Sequence, residues 1–222
     1  MYKRYFKRIF DVTLSLTGLI CLSPVLLVLY VLVRVKLGSP VFFRQLRIGK
    51  NDKPFMMIKF RTMTDTRGED GELLPDTERF TKFGDFLRRS SLDELPELFN
   101  VLKGDMSLIG PRPLYPIYLP YYTREEERRH SVRGGITGLA QINGRALCRW
   151  KERFAYDVQY VDTLSFTNDV KILWRTFFKV AAEDDIGTPS VTDEGGLHII
   201  RQVQQPEKVE LVNHILAEYK KH

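Results

Sequence analysis

Between Val12 and Val33 the chain carries no charged residue, and this apolar run constrains how everything after it can be arranged. A helix needs about 20 such residues to cross the hydrocarbon core of a bilayer. Cations flank the run on both sides: Lys3, Arg4, Lys7 and Arg8 before it, Arg34 and Lys36 after it. Positive charge prefers the cytoplasmic face, so a helix that satisfies this at both ends has to turn back. Ser23-Pro24 sits near the middle. Pro24 lacks a backbone N–H and clashes with the preceding turn, which bends a helix. The Ser23 hydroxyl can then bond locally where the ladder is broken. The pattern reads as a re-entrant anchor that dips into one leaflet and leaves the rest of the chain in the cytoplasm. A single-pass helix with a proline kink is the other reading of the same residues. A cleavable signal peptide needs a small-residue site soon after the apolar run, and the first alanine is Ala140.

The 222 residues leave room for this anchor and one domain with a real core. A net charge of +6 suits an anionic partner. Beside a membrane anchor, that points to anionic lipid headgroups and phosphate-bearing substrates rather than nucleic acid. No zinc-knuckle or RNA-binding pattern is present. The two cysteines, Cys21 and Cys148, exclude a disulfide framework, in keeping with a reducing cytosol. The four histidines do not fall at metal-ligand spacing.

After the anchor, Pro40 to Arg44 and Phe55 to Phe60 read as two strands of a hairpin across the turn Gly49 to Pro54. Residues 64–78 are polar and read as a loop. Residues 79–89 put Phe80, Phe83, Phe86 and Leu87 on one helical face beside Arg and Lys, the pattern of an interfacial helix or of a core-facing one. A short helix follows over 92–103, stopped by Gly104. Leu114 to Tyr122 is too rich in proline for regular structure; its aromatics suit a membrane–water interface or buried packing. Helices are expected over 149–161 and 169–182. In the second, Val170, Leu173, Trp174, Phe177 and Phe178 share one side. Residues 183–198 read as an acidic linker and 206–220 as a terminal amphipathic helix. The expected class is α+β: an N-terminal re-entrant membrane helix (1–38), a mostly helical cytosolic domain with interfacial amphipathic helices and a small β-hairpin (39–182), and a C-terminal linker and helix (183–222).

Ser91-Leu92-Asp93-Glu94 has the form of a capping box. Its neighbours give it a chemical reading as well. Arg88 and Arg89 precede it, and Gly110-Pro111-Arg112-Pro113 follows. Prolines on both sides hold the Arg112 backbone extended, which suits bidentate phosphate binding; a structural loop with a surface arginine is the plainer alternative. Gly138 to Arg145 is turn-rich, with amides for a base or sugar and a further arginine, Arg145, for phosphate. Lys59, at a strand end, can meet the same phosphates.

With these residues in place, the chain resembles the monotopic phosphoglycosyl transferases, the bacterial sugar transferase family, in their small single-domain form. The resemblance covers residues 1 to about 182. It rests on Lys7-Arg8 with Asp11, Ser23-Pro24, Lys59 to Met63, Ser91 to Ser107, Gly110 to Pro113 and Gly138 to Arg145. The chain departs from the family at Arg133-Gly134-Gly135, where Arg-Pro-Gly is usual; the expected result is a looser loop. The resemblance implies transfer of a sugar-1-phosphate from a UDP-sugar to undecaprenyl phosphate at the bacterial inner membrane, with release of UMP. It implies that Asp93 attacks the β-phosphorus to form an aspartyl phosphosugar, with Mg²⁺ at or beside Asp93. Glu94 would assist the metal or the acceptor's proton, and Arg88, Arg112 and Arg145 would neutralise phosphate charge. The family also nominates Gln141 and Asp157 as site residues. Adjacent residues on a regular helix diverge by about 100°, so Asp93 and Glu94 can share a site only if the helix start is irregular, as Pro96 allows. A membrane-bound nucleotide-sugar hydrolase and a non-catalytic membrane scaffold are the competing readings. The sugar, and whether the chain forms a homodimer, are left open by the sequence.

Overall fold

The computed structural model describes residues 2–144, 149–181, 196–201 and 203–220. Helix α1 (Lys7–Cys21) follows a short π-helical turn, and α2 (Ser23–Lys36) follows after a single residue. Among the described residues no single helix is long and apolar enough to cross a membrane; α1 and α2 meet that test only as a pair bent by 65°. Pro24 sits in the first turn of α2, where its missing N–H costs nothing. The Ser23 hydroxyl donates to the Ile20 carbonyl at 2.8 Å across the break.

Helix α1 is inside out. Its buried face is polar, with Lys7, Asp11 and Ser15 at i, i+4 and i+8. Lys7 Nζ meets Asp169 Oδ2 at 2.8 Å, and Tyr2 and Tyr160 donate to the same carboxylate at 2.5 and 2.8 Å. Asp11 accepts from the Ser107 hydroxyl and the Leu108 amide at 2.9 and 3.1 Å. Arg8 donates to the Val101 and Leu102 carbonyls. The apolar residues of the pair, among them Ile9, Ile20, Leu27 and Val35, are exposed. The end of α2 does enter a core, where Leu29, Val33 and Leu37 pack with Val41, Phe60 and Leu87, and Phe10 of α1 packs against the cluster around Ile109 and Tyr160.

The expected hairpin is present as β1 (Phe42–Ile48) and β2 (Pro54–Phe60), antiparallel, with Phe43 opposite Lys59. After the loop and α3 (Asp76–Arg79), helix α4 (Lys82–Arg89) starts three residues later than its apolar spacing predicts. Thr81 supplies the N-cap, accepting from the Gly84 amide at 2.9 Å. Phe80 is therefore not on the helix; it bridges to Met63 in extended backbone. A Cβ at Gly84 would stand 1.8 Å from the Thr62 carbonyl, so glycine is what lets α4 lie against the strand end that carries Lys59.

The expected helix 92–103 is two pieces, a 3-10 turn (Leu92–Glu94) and α5 (Glu97–Lys103), with Pro96 between them. Ser91 makes no capping hydrogen bond; its backbone is left-handed (φ 55°, ψ 18°), which corrects the capping-box reading. Ser90 has already closed α4, and the left-handed residue swings the chain into the new turn. Asn100 of α5 satisfies the edge of β2, donating to the Met56 carbonyl and accepting from the Ile58 amide.

The sequence pattern did not disclose a second sheet, the parallel pair β3 (Met106–Ile109) and β4 (Gly134–Thr137). It overturns the expectation of a loosened loop at Gly134-Gly135. Both glycines are buried in β4, and a Cβ on Gly135 would meet the Gly110 amide nitrogen at 2.1 Å. The close approach pins the Gly110–Pro113 loop: Gly110 N–H donates to the Thr137 carbonyl and Gly135 N–H to the Pro111 carbonyl.

The remaining elements among the described residues are 3-10 stretches at Lys50–Asp52, Pro116–Tyr121 and Arg128–Ser131, and α6 (Arg124–Glu127), α7 (Leu139–Asn143), α8 (Trp150–Asp162), α9 (Phe166–Ala181), α10 (Leu197–Ile200) and α11 (Glu207–Tyr219). The 3-10 stretch Pro116–Tyr121 corrects the expectation that residues 114–122 lack regular structure. Of the two readings of their side chains, burial holds for Leu114, Tyr118, Leu119 and Tyr122, which join Trp150 and Phe154 in a core, while Tyr115 and Ile117 are exposed. Helix α9 buries Asp169 and Ile172 and exposes Val170, Leu173, Trp174, Phe177 and Phe178. The acidic linker expected over 183–198 falls mainly outside the described residues, as do Arg145 and Cys148.

Candidate active site

Five charged side chains, from β2, the 3-10 turn, α5 and the Gly110–Pro113 loop, meet where the 3-10 turn faces the end of β2. Lys59 Nζ lies 2.7 Å from Glu94, 3.4 Å from Glu97 and 3.9 Å from Asp93. Arg112 Nη2 lies 2.5 Å from Glu94 and 3.3 Å from Glu97, and its Nη1 donates to the Ile136 carbonyl at 3.0 Å. The irregular start around Pro96 brings Asp93 and Glu94 both within ion-pair distance of Lys59. Glu97, which sequence reasoning missed, is fully buried. Its signal was available: it follows Glu94 by three residues and Asp93 by four, the spacing that aligns side chains on a helix.

Among the described residues, Lys59 and Arg112 thus face the carboxylates of Asp93, Glu94 and Glu97. Burial pushes the Asp93 carboxyl up to about 7; Lys59 opposes the rise and Glu94 adds to it. Burial also raises Glu97, against the pull of Arg112. Burial disfavours the Arg112 charge, but Glu94 and Glu97 outweigh it and the net shift is upward. Among the described residues Asp93 accepts no hydrogen bond, so its carboxylate is the least committed of the three. The Asp93 shift predicts a pH-dependent stability. An unfolded Asp releases its proton near 3.8, the folded one near 7. Its contribution is present in full below pH 3.8 and is lost as pH rises to about 7. Asp93→Asn is therefore expected to raise stability at pH 8 by roughly 2–4 kcal/mol, and to leave it near wild type at pH 4. Thermal melts of both proteins across that range check it; equal midpoints at pH 8 would refute it.

Beside this cluster opens a cavity of 570 Å³, a size typical of small-molecule sites. Arg88, Glu94, Arg112, Gln141, Arg153, Asp157 and Lys179 line it with apolar residues such as Leu92, Leu98 and Ile136. Asp93 and Lys59 are not part of its wall, although Leu92 and Glu94 on either side of Asp93 are. They join the cavity through the ion cluster. Arg88 donates from Nε to Thr62 Oγ1 at 2.9 Å, and its guanidinium lies over the Phe80 ring. Gln141 presents both amide atoms buried and without a hydrogen-bond partner among the described residues. Asp157 reaches the cavity with its carboxylate already held by Arg129 at 2.9 Å. Arg129 also donates to the Arg112 carbonyl at 2.6 Å. Arg129 had no local signature, since Glu125 to Arg129 reads as a solvated charge run. Arg145, the remaining expected site residue, is outside the described residues.

Among the described residues no group of three His, Cys, Asp or Glu side chains is arranged to hold a metal ion. Mg²⁺ does not require such a cage; it commonly takes one or two carboxylates and completes its shell with substrate phosphate oxygens and water. Asp93, with Glu94 beside it, fits that mode.

The sequence profile of the bacterial sugar transferases matches residues 2–183. An uncharacterized sugar transferase of Bacillus subtilis, EpsL, is 54% identical over 180 residues, which are 81% of this chain and 89% of the relative. The UDP-glucose:undecaprenyl-phosphate glucose-1-phosphate transferase of Klebsiella pneumoniae is 43% identical over 78% of this chain and 40% of its own length. The enzyme of the same name from Escherichia coli is 39% identical over 79% of this chain, again 40% of its own length. The chain thus spans about two fifths of these two larger relatives. A profile that covers most of the chain, and a relative more than half identical, lead to one conclusion: the chain belongs to the bacterial sugar transferase family and is, by that membership, a phosphoglycosyl transferase.

Proposed function

We propose that this enzyme transfers a sugar-1-phosphate from a UDP-sugar to undecaprenyl phosphate, releasing UMP, in the first membrane step of a surface polysaccharide or related glycoconjugate. The observation that carries the reading is the convergence of Asp93, Glu94 and Glu97 with Lys59 and Arg112 beside a cavity lined by further cations. In this reading Asp93 attacks the β-phosphorus of the bound donor. A bond forms from its carboxylate oxygen, the phosphoanhydride bond breaks, and UMP leaves with the electron pair. The acceptor phosphate then displaces Asp93 from the aspartyl phosphosugar. Bound Mg²⁺ would offset charge on the diphosphate and on departing UMP, held by Asp93 with help from Glu94. Arg112 and Arg88 would neutralise phosphate charge, Arg112 by exchanging Glu94 for phosphate as its partner. Lys59 would hold Glu94 and Glu97 in place. Gln141, with an unpartnered donor and acceptor, suits the base or sugar. Asp157 would act through Arg129, and Arg145 keeps its role as a phosphate ligand in the proposal.

The inverted amphipathicity of α1 supports the monotopic, re-entrant arrangement. A helix whose charged stripe docks on its own domain and whose apolar stripe is bare needs an apolar solvent outside. The exposed face of α9 extends that surface. The reaction centre would then sit at headgroup level on the cytoplasmic side of the inner membrane, where a lipid phosphate and a soluble nucleotide can both reach it. Pro24→Ala is expected to lower activity with Asp93 intact and to carry the N-terminus across the bilayer. Labelling of a cysteine placed at residue 3 reads the outcome; an N-terminus that stays cytoplasmic defeats the bend argument.

UMP release from a panel of UDP-sugars tests the function, with Mg²⁺ and with or without undecaprenyl phosphate. UDP-glucose comes first because the named relatives are UDP-glucose enzymes. Release that depends on the lipid and favours one sugar is the expected result. Lipid-independent release would make the protein a hydrolase, and no release from any donor would remove the main support for the mechanism.

A further inference from the structure

The family profile ends at residue 183, yet described residues between Leu197 and Tyr219 are built into the domain. Leu197, Val212 and Ile215 are buried against Tyr118, Tyr122, Trp150 and Phe154. Polar contacts converge on one stretch of chain, residues 120–130. The Gln204 and Gln205 amides donate to the Pro120 carbonyl at 2.8 and 2.9 Å, and the Gln205 side chain donates to the Tyr122 carbonyl at 2.5 Å. Arg201 forks onto Glu126 at 2.5 and 2.8 Å. Lys208 Nζ bridges Asp52 and Glu127, each at 2.5 Å. The other Asp52 oxygen meets His130 Nδ1 at 2.6 Å. Burial works against the Asp52 charge, but hydrogen bonds from His130 and Lys208 hold its pKa down to about 2.

Next to His130 is Arg129, the largest fully buried side chain among the described residues. A buried guanidinium needs a fixed partner and fixed walls. Its partner is Asp157, and its walls include the Tyr122 and Phe154 rings, each 5.7 Å from the guanidinium carbon. The C-terminal segment shares a core with those same two rings, and the Arg201 guanidinium lies 5.4 Å from the Phe154 ring. From this position Arg129 holds the Arg112 carbonyl from behind while the Arg112 side chain faces Glu94 and Glu97.

We propose that the C-terminal segment is a clamp for the cavity: Lys208 and Gln205 act as positioning residues that fix residues 120–130, and Arg129 passes that constraint to Arg112 and Asp157. The proposal rests on the reading of the cavity as the donor site. Displacing a phosphate-binding arginine by a fraction of an ångström weakens donor binding without removing a reacting group. The full-length enzyme in vesicles containing undecaprenyl phosphate is the material for the test, with Lys208→Met, which keeps the apolar stem, and Lys208→Arg, which keeps the charge. Two readouts are taken: kcat and KM for the panel donor giving the fastest UMP release, and amide hydrogen exchange over residues 110–114 and 128–137. Lys208→Met is expected to raise KM about tenfold with kcat within about twofold, and to speed exchange in both segments; Lys208→Arg is expected to restore both. Wild-type KM in Lys208→Met overturns the clamp, whatever happens to the thermal midpoint. Should Lys208→Met fail to fold, Gln205→Asn, one carbon shorter, is read by the same criteria. If wild type releases UMP from no donor, the donor-site reading fails, and exchange alone decides whether the segment fixes residues 110–114: unchanged exchange overturns that as well.

Discussion

Asp93→Asn is expected to reduce UMP release by at least about 10³-fold, the scale on which loss of a covalent nucleophile is felt. The amide has nearly the volume of the carboxylate but lacks the anionic oxygen that attacks phosphorus. Loss of activity is paired with a gain in stability, because an amide does not have to be ionised in a buried site already crowded by Glu94 and Glu97. That pairing separates a chemical defect from misfolding, since a merely damaged protein would lose both. The measurement is UMP release under saturating donor, with the thermal midpoint on the same preparation. Activity within tenfold of wild type would exclude Asp93 as nucleophile and shift attention to Glu94, which lines the cavity directly. The pH profile carries a second signature. Attack requires the ionised form, so release should rise with pH through a value near 7.

Arg112→Ala is expected to be the most destabilising substitution in the site. It removes the cation that Arg112 places against Glu94 and Glu97 and takes from Glu94 a 2.5 Å ion pair. Removing one partner from a largely buried ion network costs about 3 kcal/mol, or roughly 6–12 °C in thermal midpoint for a chain of this size. Arg112→Lys should recover much of the stability, because a charge returns beside Glu94 and Glu97. It should not recover more than about a tenth of the activity, because an ammonium cannot grip two phosphate oxygens as a planar fork does. Melts and UMP release on the three proteins decide it. An Arg112→Lys enzyme with full activity would show that only the charge matters, and the bidentate role assigned to Arg112 would fall.

The local elements were largely legible because their causes are local. Alternation and turn residues marked the β1–β2 hairpin, and the apolar side of α9 was visible from spacing alone. Boundaries slipped where one residue outranked the pattern: Thr81 took the cap and left Phe80 outside the helix. The β3–β4 pair escaped because four-residue strands leave little pattern, and because Gly134 and Gly135 are poor strand formers chosen here for close approach. In the site, motif and spacing singled out Asp93, Glu94, Lys59 and Arg112, whereas Arg129 looked like part of an exposed charge run. Nothing local distinguishes a solvated arginine from one that is buried by a core assembled from four distant segments.

Sequence alone determined that the chain has an apolar stretch broken at Ser23-Pro24, a carboxylate pair next to an irregular helix start, and an arginine locked between two prolines. These are properties of neighbouring residues and need no fold to exist. Only the tertiary structure decided which way each of them faces. Lys7 and Arg8 read as topology charges beside an anchor, yet the fold directs them to Asp169, 162 residues from Lys7, and to two carbonyls at the end of α5. Residues beyond 183 carried no assigned role, yet Leu197, Val212 and Ile215 among them join the core that holds Tyr122 and Phe154. The reason is physical: periodicity reports which side of an element is apolar, but a charge buried in one element is stable only beside a partner that the chain brings in from elsewhere.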